Sequence, residues 1–506
     1  MMELAWPLVV WSGFYLAVVS LLLTKFMKNS GRLPPGPPGW PLIGNIFDLD
    51  AAAHHTLAKI SNKYGPIVWL RLGAVNTMVV SSAEAAMDMF KNHDLSFAGR
   101  TTNEALRVHC YDEGSMALGQ YGPYWRMLRR ICTTELFTNS RINGTESLRM
   151  KCIDNMIRWI WDEAKNNKGS VEVARFVSLM SFNVTSNVML SKDLVDPESK
   201  KDAEFFTSIA KAIELGGRPN IADFFPFLRW LDPQGIKRKM RCDMAYTHKF
   251  AYGFVEERIL ERKNGKKNTK KDFLDVLLDF QGNQRDGEPE NISEKHRYND
   301  TASTDTTTST IEWALTELLR NPSIMRNVQA ELDQVLVQNK MEEVDVGSLR
   351  YLQAVVKETL RLHPPVPLLI PRRAMDDTKF MGYSVPKDTQ ILVNVWAIGR
   401  DPVFWDDPLS FKPERFLSSN IDYKGRHFQF IPFGAGRRIC VGMSLAHRTL
   451  HLALGSLIQS FEWALEDGVT PENMDMTERL GVALRKADPL KTVLKLRVGK
   501  YKGRND

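Results

Sequence analysis

Phe430-Ile431-Pro432-Phe433-Gly434-Ala435-Gly436-Arg437-Arg438-Ile439-Cys440-Val441-Gly442 sets one cysteine between glycines and beside two arginines. It runs directly into an apolar helical pattern through Leu445, Leu450, Leu452, Leu454 and Leu457. Glycine lacks a Cβ, so such a loop can bend sharply and bring its backbone close to a flat group. A cysteine at a helix N-terminus beside cationic side chains is biased toward thiolate, the form that ligates metal. The same letters also describe a glycine-rich turn around a buried structural cysteine, and the rest of the chain decides between the two.

The 506 residues are 43% hydrophobic and 25% charged, an ordinary globular composition. No internal repeat appears at solenoid or propeller periods. A net charge of +7 over this length suits an acidic protein partner or an anionic membrane surface, and is too diffuse to argue for nucleic acid. Cys110, Cys132, Cys152, Cys242 and Cys440 are odd in number and scattered, with no CxxC pair and no zinc spacing. That usage predicts a reduced, cytosol-facing chain rather than a disulfide framework.

Upstream, residues 5–23 carry no charge, close to the roughly 20 apolar residues a spanning helix needs and longer than a secretory signal core. Lys25, Lys28 and Arg32 follow while only Glu3 precedes, so residues 1–28 read as a membrane anchor with the bulk of the chain on the cytosolic side. The sequons at Asn143, Asn183, Asn291 and Asn299 then face the wrong compartment for glycosylation. Residues 29–45, with Leu33-Pro34-Pro35-Gly36-Pro37-Pro38-Gly39-Trp40-Pro41, read as an extended spacer, because proline fixes φ and lacks an N–H. Residues 46–506 read as one globular domain.

Within that domain, residues 66–70 and 77–80 read as a β-hairpin about Gly73-Ala74. Helical patterns then dominate, around 84–92, 121–137, 146–165, 202–215, 235–262, 307–320 and 348–362. After about residue 363, short strands and proline-rich coil take over. The fold is mainly α with a smaller β-rich part. The apolar run from Phe224 to Leu231 suits either core or a surface dipping into lipid.

Three further groups give the cysteine company. Trp125 and Arg129, four apart, share a helix face and offer an indole N–H and a guanidinium to an acidic ligand. Glu358 and Arg361, three apart on a helix ending at Pro364-Pro365, find a third partner in Arg415, which predicts a structural ion network. Ala302-Ser303-Thr304-Asp305-Thr306-Thr307 carries an acid beside an alcohol, the pair that can relay protons.

Together these residues resemble the cytochrome P-450 superfamily over essentially the whole chain. Phe433, Gly436, Arg438, Cys440 and Gly442 match its cysteine-ligand signature, Glu358 and Arg361 its Glu-x-x-Arg, Pro413 to Phe416 its Pro-Glu-Arg-Phe, and Trp125 and Arg129 its Trp-x-x-x-Arg. Gly99-Arg100, Tyr121-Gly122-Pro123, Ile311-Glu312-Trp313-Ala314-Leu315 and Asn394 through Pro402 resemble the plant A-type enzymes, in particular the group of geraniol hydroxylases and iridoid oxidases. The resemblance implies haem b with Cys440 as its axial thiolate. It makes Trp125, Arg129, Arg372 and Arg438 propionate partners, and Asp305 with Thr306 the proton relay. Ala105, Val108, Met116, Ala302, Val366, Ile370 and Val482 become contacts for a small apolar substrate, a monoterpenoid or iridoid. It further implies a single-pass endoplasmic reticulum protein that receives NADPH electrons through a separate reductase, since no dinucleotide fingerprint is evident here.

Two departures stand out. Ser303 occupies the position where relatives carry the glycine that gives dioxygen room. Residues 293–301 are polar and short where relatives have an apolar helical run; Asn299, Asp300 and Thr301 read as helix N-caps, so the helix is expected to start late. These departures keep two alternatives open: a reductase-independent haem-thiolate isomerase or dehydratase, and a haem protein impaired on its distal side.

Overall fold

A computed structural model describes residues 32–265, 272–282, 287–290, 292, 304–337 and 339–497. The hairpin comes first, with β1 (Ile67–Leu72) and β2 (Val75–Val80) antiparallel and Ile67 opposite Val80. β2 also pairs in parallel with β8 (Gln390–Val393). The sheet is completed by β5 (Arg372–Arg373) and β3 (Gly99–Arg100), in the order β1-β2-β8-β5-β3. Smaller sheets join β4 (Ser170–Glu172), β12 (Lys491–Leu496) and β9 (Phe461–Leu465), then β6 (Thr378–Phe380) with β7 (Tyr383–Val385), and β10 (Glu478–Leu480) with β11 (Leu484–Lys486).

Helices make up most of the mass. In chain order the longer ones are α1 (Ala53–Tyr64), α2 (Ala83–Asn92), α3 (Pro123–Ile131), α4 (Glu146–Asn166), α5 (Val173–Leu190), α6 (Lys200–Gly217), α7 (Ile236–Lys263), α8 (Phe273–Asp279), α9 (Thr304–Arg320), α10 (Pro322–Leu336), α11 (Arg350–Leu362) and α12 (Met443–Ser460). Local chemistry sets their ends. Ser82 caps α2 by accepting from Ala85 N–H, Asp272 and Asp275 form a reciprocal capping box on α8, and Pro322 opens α10 where its missing N–H costs nothing. The main apolar core lies where α4, α5, α9, α10, α11 and α12 pack together. On α9, Ile311, Ala314, Leu315 and Leu318 all face that core, as their spacing predicts.

The predicted helices are present, and α3 runs on through a single π-turn over Cys132–Leu136. Four helices have no counterpart in the sequence reading: α1, α5, α8 and α10. The proline segment differs in a second respect. It is docked on the domain and does not hang free as a spacer: the Trp69 N–H donates to the Pro35 carbonyl at 2.8 Å and the Ser384 N–H to the Arg32 carbonyl at 2.9 Å. Proline keeps its acceptor although it lacks a donor, so one edge of this segment can still be tied down. The apolar run at 224–231 is not core. Phe227 is 68% and Trp230 81% exposed, and Trp40, Leu42 and Phe47 stand out from the surface as well.

No described helix is long and apolar enough to cross a membrane, and residues 5–23 lie outside the described residues. None of the five cysteines is in a disulfide. Asn183 is buried and its side chain accepts from the Leu194 and Val195 N–H groups, so that sequon is closed to glycosylation.

Candidate active site

A predominantly apolar cavity of about 330 Å³ opens in front of the cysteine loop. Cys440 and Gly442 of the cysteine loop, Thr306 and Thr307 of α9, and Val366, Leu369 and Ile370 all line it. The cysteine loop is shaped by two left-handed glycines. Gly434 has φ +71° and Gly436 φ +68°. A Cβ on Gly436 would also meet the Asp94 carboxylate at 2.6 Å, because that side chain turns in to accept from the Arg437 N–H at 2.7 Å. The Cys440 N–H donates back to the Phe433 carbonyl at 3.0 Å and Gly442 starts α12, so the sulfur is fixed at a helix N-terminus.

The helix terminus and the cation are not the only influences on the thiol. Burial in the apolar loop pushes it above the ordinary cysteine value, outweighing the Gly442 N–H, the Arg129 guanidinium and the Met443 N–H, all of which favour thiolate. Helix terminus and cation are where the sequence puts them, yet desolvation is larger. A thiolate here is completed by a positive centre bound to it.

One end of the cavity is crowded with guanidinium groups from α3, β3, β5 and the cysteine loop: Arg129, Arg100, Arg372 and Arg438. Arg438 lies over the Trp125 ring at 4.0 Å and donates to the Ala98 and Gly119 carbonyls, while its Nη1 is buried with no partner. Arg372 donates to Asp94 at 2.9 Å and to the Ala435 carbonyl at 3.1 Å. Arg100 reaches the Ala117 and Ile370 carbonyls. Burial, with Arg372 and Arg129 nearby, brings Arg438 down to about 9, and burial with Arg372 and Arg438 brings Arg100 well below its usual value. Asp94 offsets part of this charge, within hydrogen-bond reach of Arg372. The end is built to take an anion.

Haem fits the residues present: an apolar cavity lined by a cysteine sulfur, with a cationic end where Arg438 keeps a buried guanidinium N–H without a partner and where an acidic edge would be held. Arg372 and Arg438 remain where a propionate needs them. Arg129 spends one N–H on the Ile439 carbonyl at 2.7 Å, and the Trp125 indole N–H is committed to the Met116 carbonyl at 3.0 Å. Trp125 therefore acts here chiefly as the aromatic floor under Arg438. Asp94 and Arg100 escaped the sequence reading as site residues; Gly99-Arg100 was the available signal, but its partners lie far away in sequence.

Across the cavity, Thr306 lines the wall and Asp305 does not. Asp305 is turned toward Arg485 of β11 and forms an ion pair with it. Burial raises its pKa, opposed chiefly by Arg485. Among the expected substrate contacts, Met116, Val366 and Ile370 line the cavity. Ala105 and Val108 instead pack in an apolar cluster with Ile236 and Met240 of α7. Val482 sits against Gly216 and Gly217 of α6 and is 39% exposed. None of these three lines the cavity. Ala302 and Ser303 lie outside the described residues. Val184, Val188 and Met189 of α5 line the cavity unannounced by any motif.

Behind the site, Glu358 accepts two N–H groups of Arg361 at 2.7 Å each, one of Arg415 at 3.0 Å and the Lys412 N–H at 2.8 Å. Arg361 continues to the Gly399 and Pro408 carbonyls. The network ties α11 to the 399–415 segment that leads into the cysteine loop.

The comparisons with known proteins agree with this geometry. The family model described as Cytochrome P450 matches residues 34–492. An iridoid oxidase of Catharanthus roseus is 51% identical, with 94% of this chain and 96% of that one covered. A geraniol 8-hydroxylase of the same plant is 42% identical, with coverage of 92% and 94%. A zebrafish cytochrome P450 solved with progesterone superposes with a TM-score of 0.73 at 27% identity, over 88% of this chain and 99% of that one. With its cysteine loop, cationic end and ion network in place, the chain belongs to the cytochrome P450 family of haem-thiolate monooxygenases, in the plant group that includes these two relatives.

Proposed function

We propose that this chain hydroxylates or oxidises a small apolar substrate, a monoterpenoid or iridoid, with dioxygen and with NADPH electrons delivered by a separate reductase. The carrying observation is the cavity: apolar walls between the Cys440 sulfur and Thr306, with its charged groups gathered at one end. Haem held by Cys440 supplies the activation of dioxygen. The protein does the rest. Arg372 and Arg438 hold the acidic edge of the group, and Phe433 and Gly442 shape the pocket about the sulfur. Thr306 is the hydroxyl placed to pass a proton into the cavity, and Asp305 behind it is the acid that recharges that hydroxyl once Arg485 releases it. Met116, Val366 and Ile370 exclude water and select for apolar surface. Similarity to proteins named for iridoid and geraniol oxidation supports the substrate class.

Membrane attachment belongs to the same proposal, with the domain on the cytosolic face of the endoplasmic reticulum. The apolar segment 5–23 with its flanking lysines supports it. So does the exposed face formed by Trp40, Leu42, Phe47, Phe227 and Trp230. The two halves of that face are joined through the β1–β2 turn, where Gly73 N–H donates to Ile43 and Ala74 N–H to Phe224. Exposed Arg126 and Arg437 on the cysteine side suit an acidic reductase.

A screen of small terpenols and iridoids in reductase-containing microsomes tests the reading, with NADPH consumption matched to product. A second reading, a reductase-independent isomerase or dehydratase, follows if Asp305 stays bound to Arg485 and delivers no proton to the cavity. Turnover of a lipid or terpene hydroperoxide without NADPH establishes that alternative; NADPH-dependent oxygen insertion excludes it.

A further inference from the structure

Far from the cysteine, two consecutive histidines at the start of α1 meet the first residue of β10. His54 Nε2 lies 2.8 Å and His55 Nε2 2.9 Å from the same carboxylate oxygen of Glu478. All three ligand atoms fall within 4.8 Å of one another. We infer that His54, His55 and Glu478 form a zinc-type divalent metal site that clamps α1 to the β10–β11 hairpin.

The ligand set is two imidazoles and one carboxylate, the nitrogen and oxygen mixture that suits zinc and leaves a fourth position for water. Without an ion, both rings have to spend an N–H on one oxygen; an ion between them uses the two nitrogen lone pairs and that oxygen together. The surroundings are those of a prepared ligand. His54 is fully buried and its own carbonyl accepts from the Asn394 side chain at 2.9 Å, which fixes the first turn of α1. His55 packs on the Trp396 ring at 4.3 Å, and its 36% exposed side chain leaves a route from solvent. The second Glu478 oxygen faces His363 Nδ1 at 3.4 Å, and His363 Nε2 meets Glu317 at 2.8 Å, an outer layer that orients the carboxylate. Arg400, stacked on Trp396, offsets part of the Glu478 charge, and Glu317 adds a further negative charge behind His363. None of the three ligands lines the cysteine cavity. Their hairpin does carry Arg485, the partner of Asp305.

The test uses the full-length, haem-loaded protein without a polyhistidine tag, dialysed against buffered Zn²⁺ and analysed for zinc and iron together. The expected result is about one zinc per haem iron, held at least about ten-fold more weakly in His55→Ala and Glu478→Gln. His427→Ala, which removes a half-exposed imidazole beside Asp422, should leave uptake unchanged. Zn²⁺ should raise the Tm of the wild type and of His427→Ala but not of His55→Ala. His55 is partly exposed, so this variant is expected to fold, with its ferrous–CO spectrum as the check. Equal zinc uptake by wild type and His55→Ala, or none by the wild type, overturns the site and leaves a hydrogen-bonded His-Glu cluster.

Discussion

Arg438 illustrates how one side chain reports on a missing partner. Its stem is buried, its ring neighbour is Trp125, and one of its N–H groups has nothing to bond to. An unsatisfied buried donor of this kind costs about 1–3 kcal/mol, which an anionic group returns on binding. Arg438→Leu should therefore retain haem about 10- to 100-fold less well, read as haem content after competition with apomyoglobin. Asp305 makes a kinetic case. Asp305→Asn should lower NADPH-coupled product formation about 100-fold or more while leaving the ferrous–CO spectrum intact, as loss of a proton relay does. Arg485 lowers the Asp305 pKa that burial raises, so Arg485→Gln lifts it further. The ionised carboxylate collects the proton, and activity falls as pH drops through that pKa; the acidic limb of the kcat profile should move to higher pH in Arg485→Gln. An unmoved limb would place the relay elsewhere.

At the level of elements, α11 and the segment after it share one buried carboxylate. Glu358→Ala strands the fully buried Arg361 and the mostly buried Arg415, and should cost about 3–5 kcal/mol, seen as a large fall in Tm and early haem loss. This network was legible because Glu358 and Arg361 are one helical turn apart and the prolines mark the helix end. The hairpin was legible from two β-rich runs about Gly73-Ala74, and α9 from Ile311, Ala314, Leu315 and Leu318. α5 was not, for a physical reason: Phe176, Val177, Leu179, Met180, Phe182 and Val184 are buried on every side, so no polar face marks a helical period. The cysteine signature located the sulfur but not its ionisation, which depends on desolvation inside the cavity that the tertiary fold builds around it. Asp94 was invisible for the same cause, since it meets Arg437 and Arg372 only through tertiary contact.

Taken whole, the molecule has an apolar, exposed face at 40–47 and 221–231, and a cysteine loop reached from elsewhere. Replacing Phe227 and Trp230 by glutamate should weaken binding to phospholipid vesicles in flotation assays. Folded stability should change by only about 0.5 kcal/mol, because both side chains are exposed. The docked proline segment has a bearing on this. Arg32 is tied to Ser384 and Pro35 to Trp69, so residue 32 is held at one fixed point on the domain. Under the proposed membrane attachment this segment is a rigid bracket and not a rope: lengthening the chain ahead of Arg32 should leave vesicle binding through Phe227 and Trp230 unchanged, whereas cutting the Pro35 contact should weaken it.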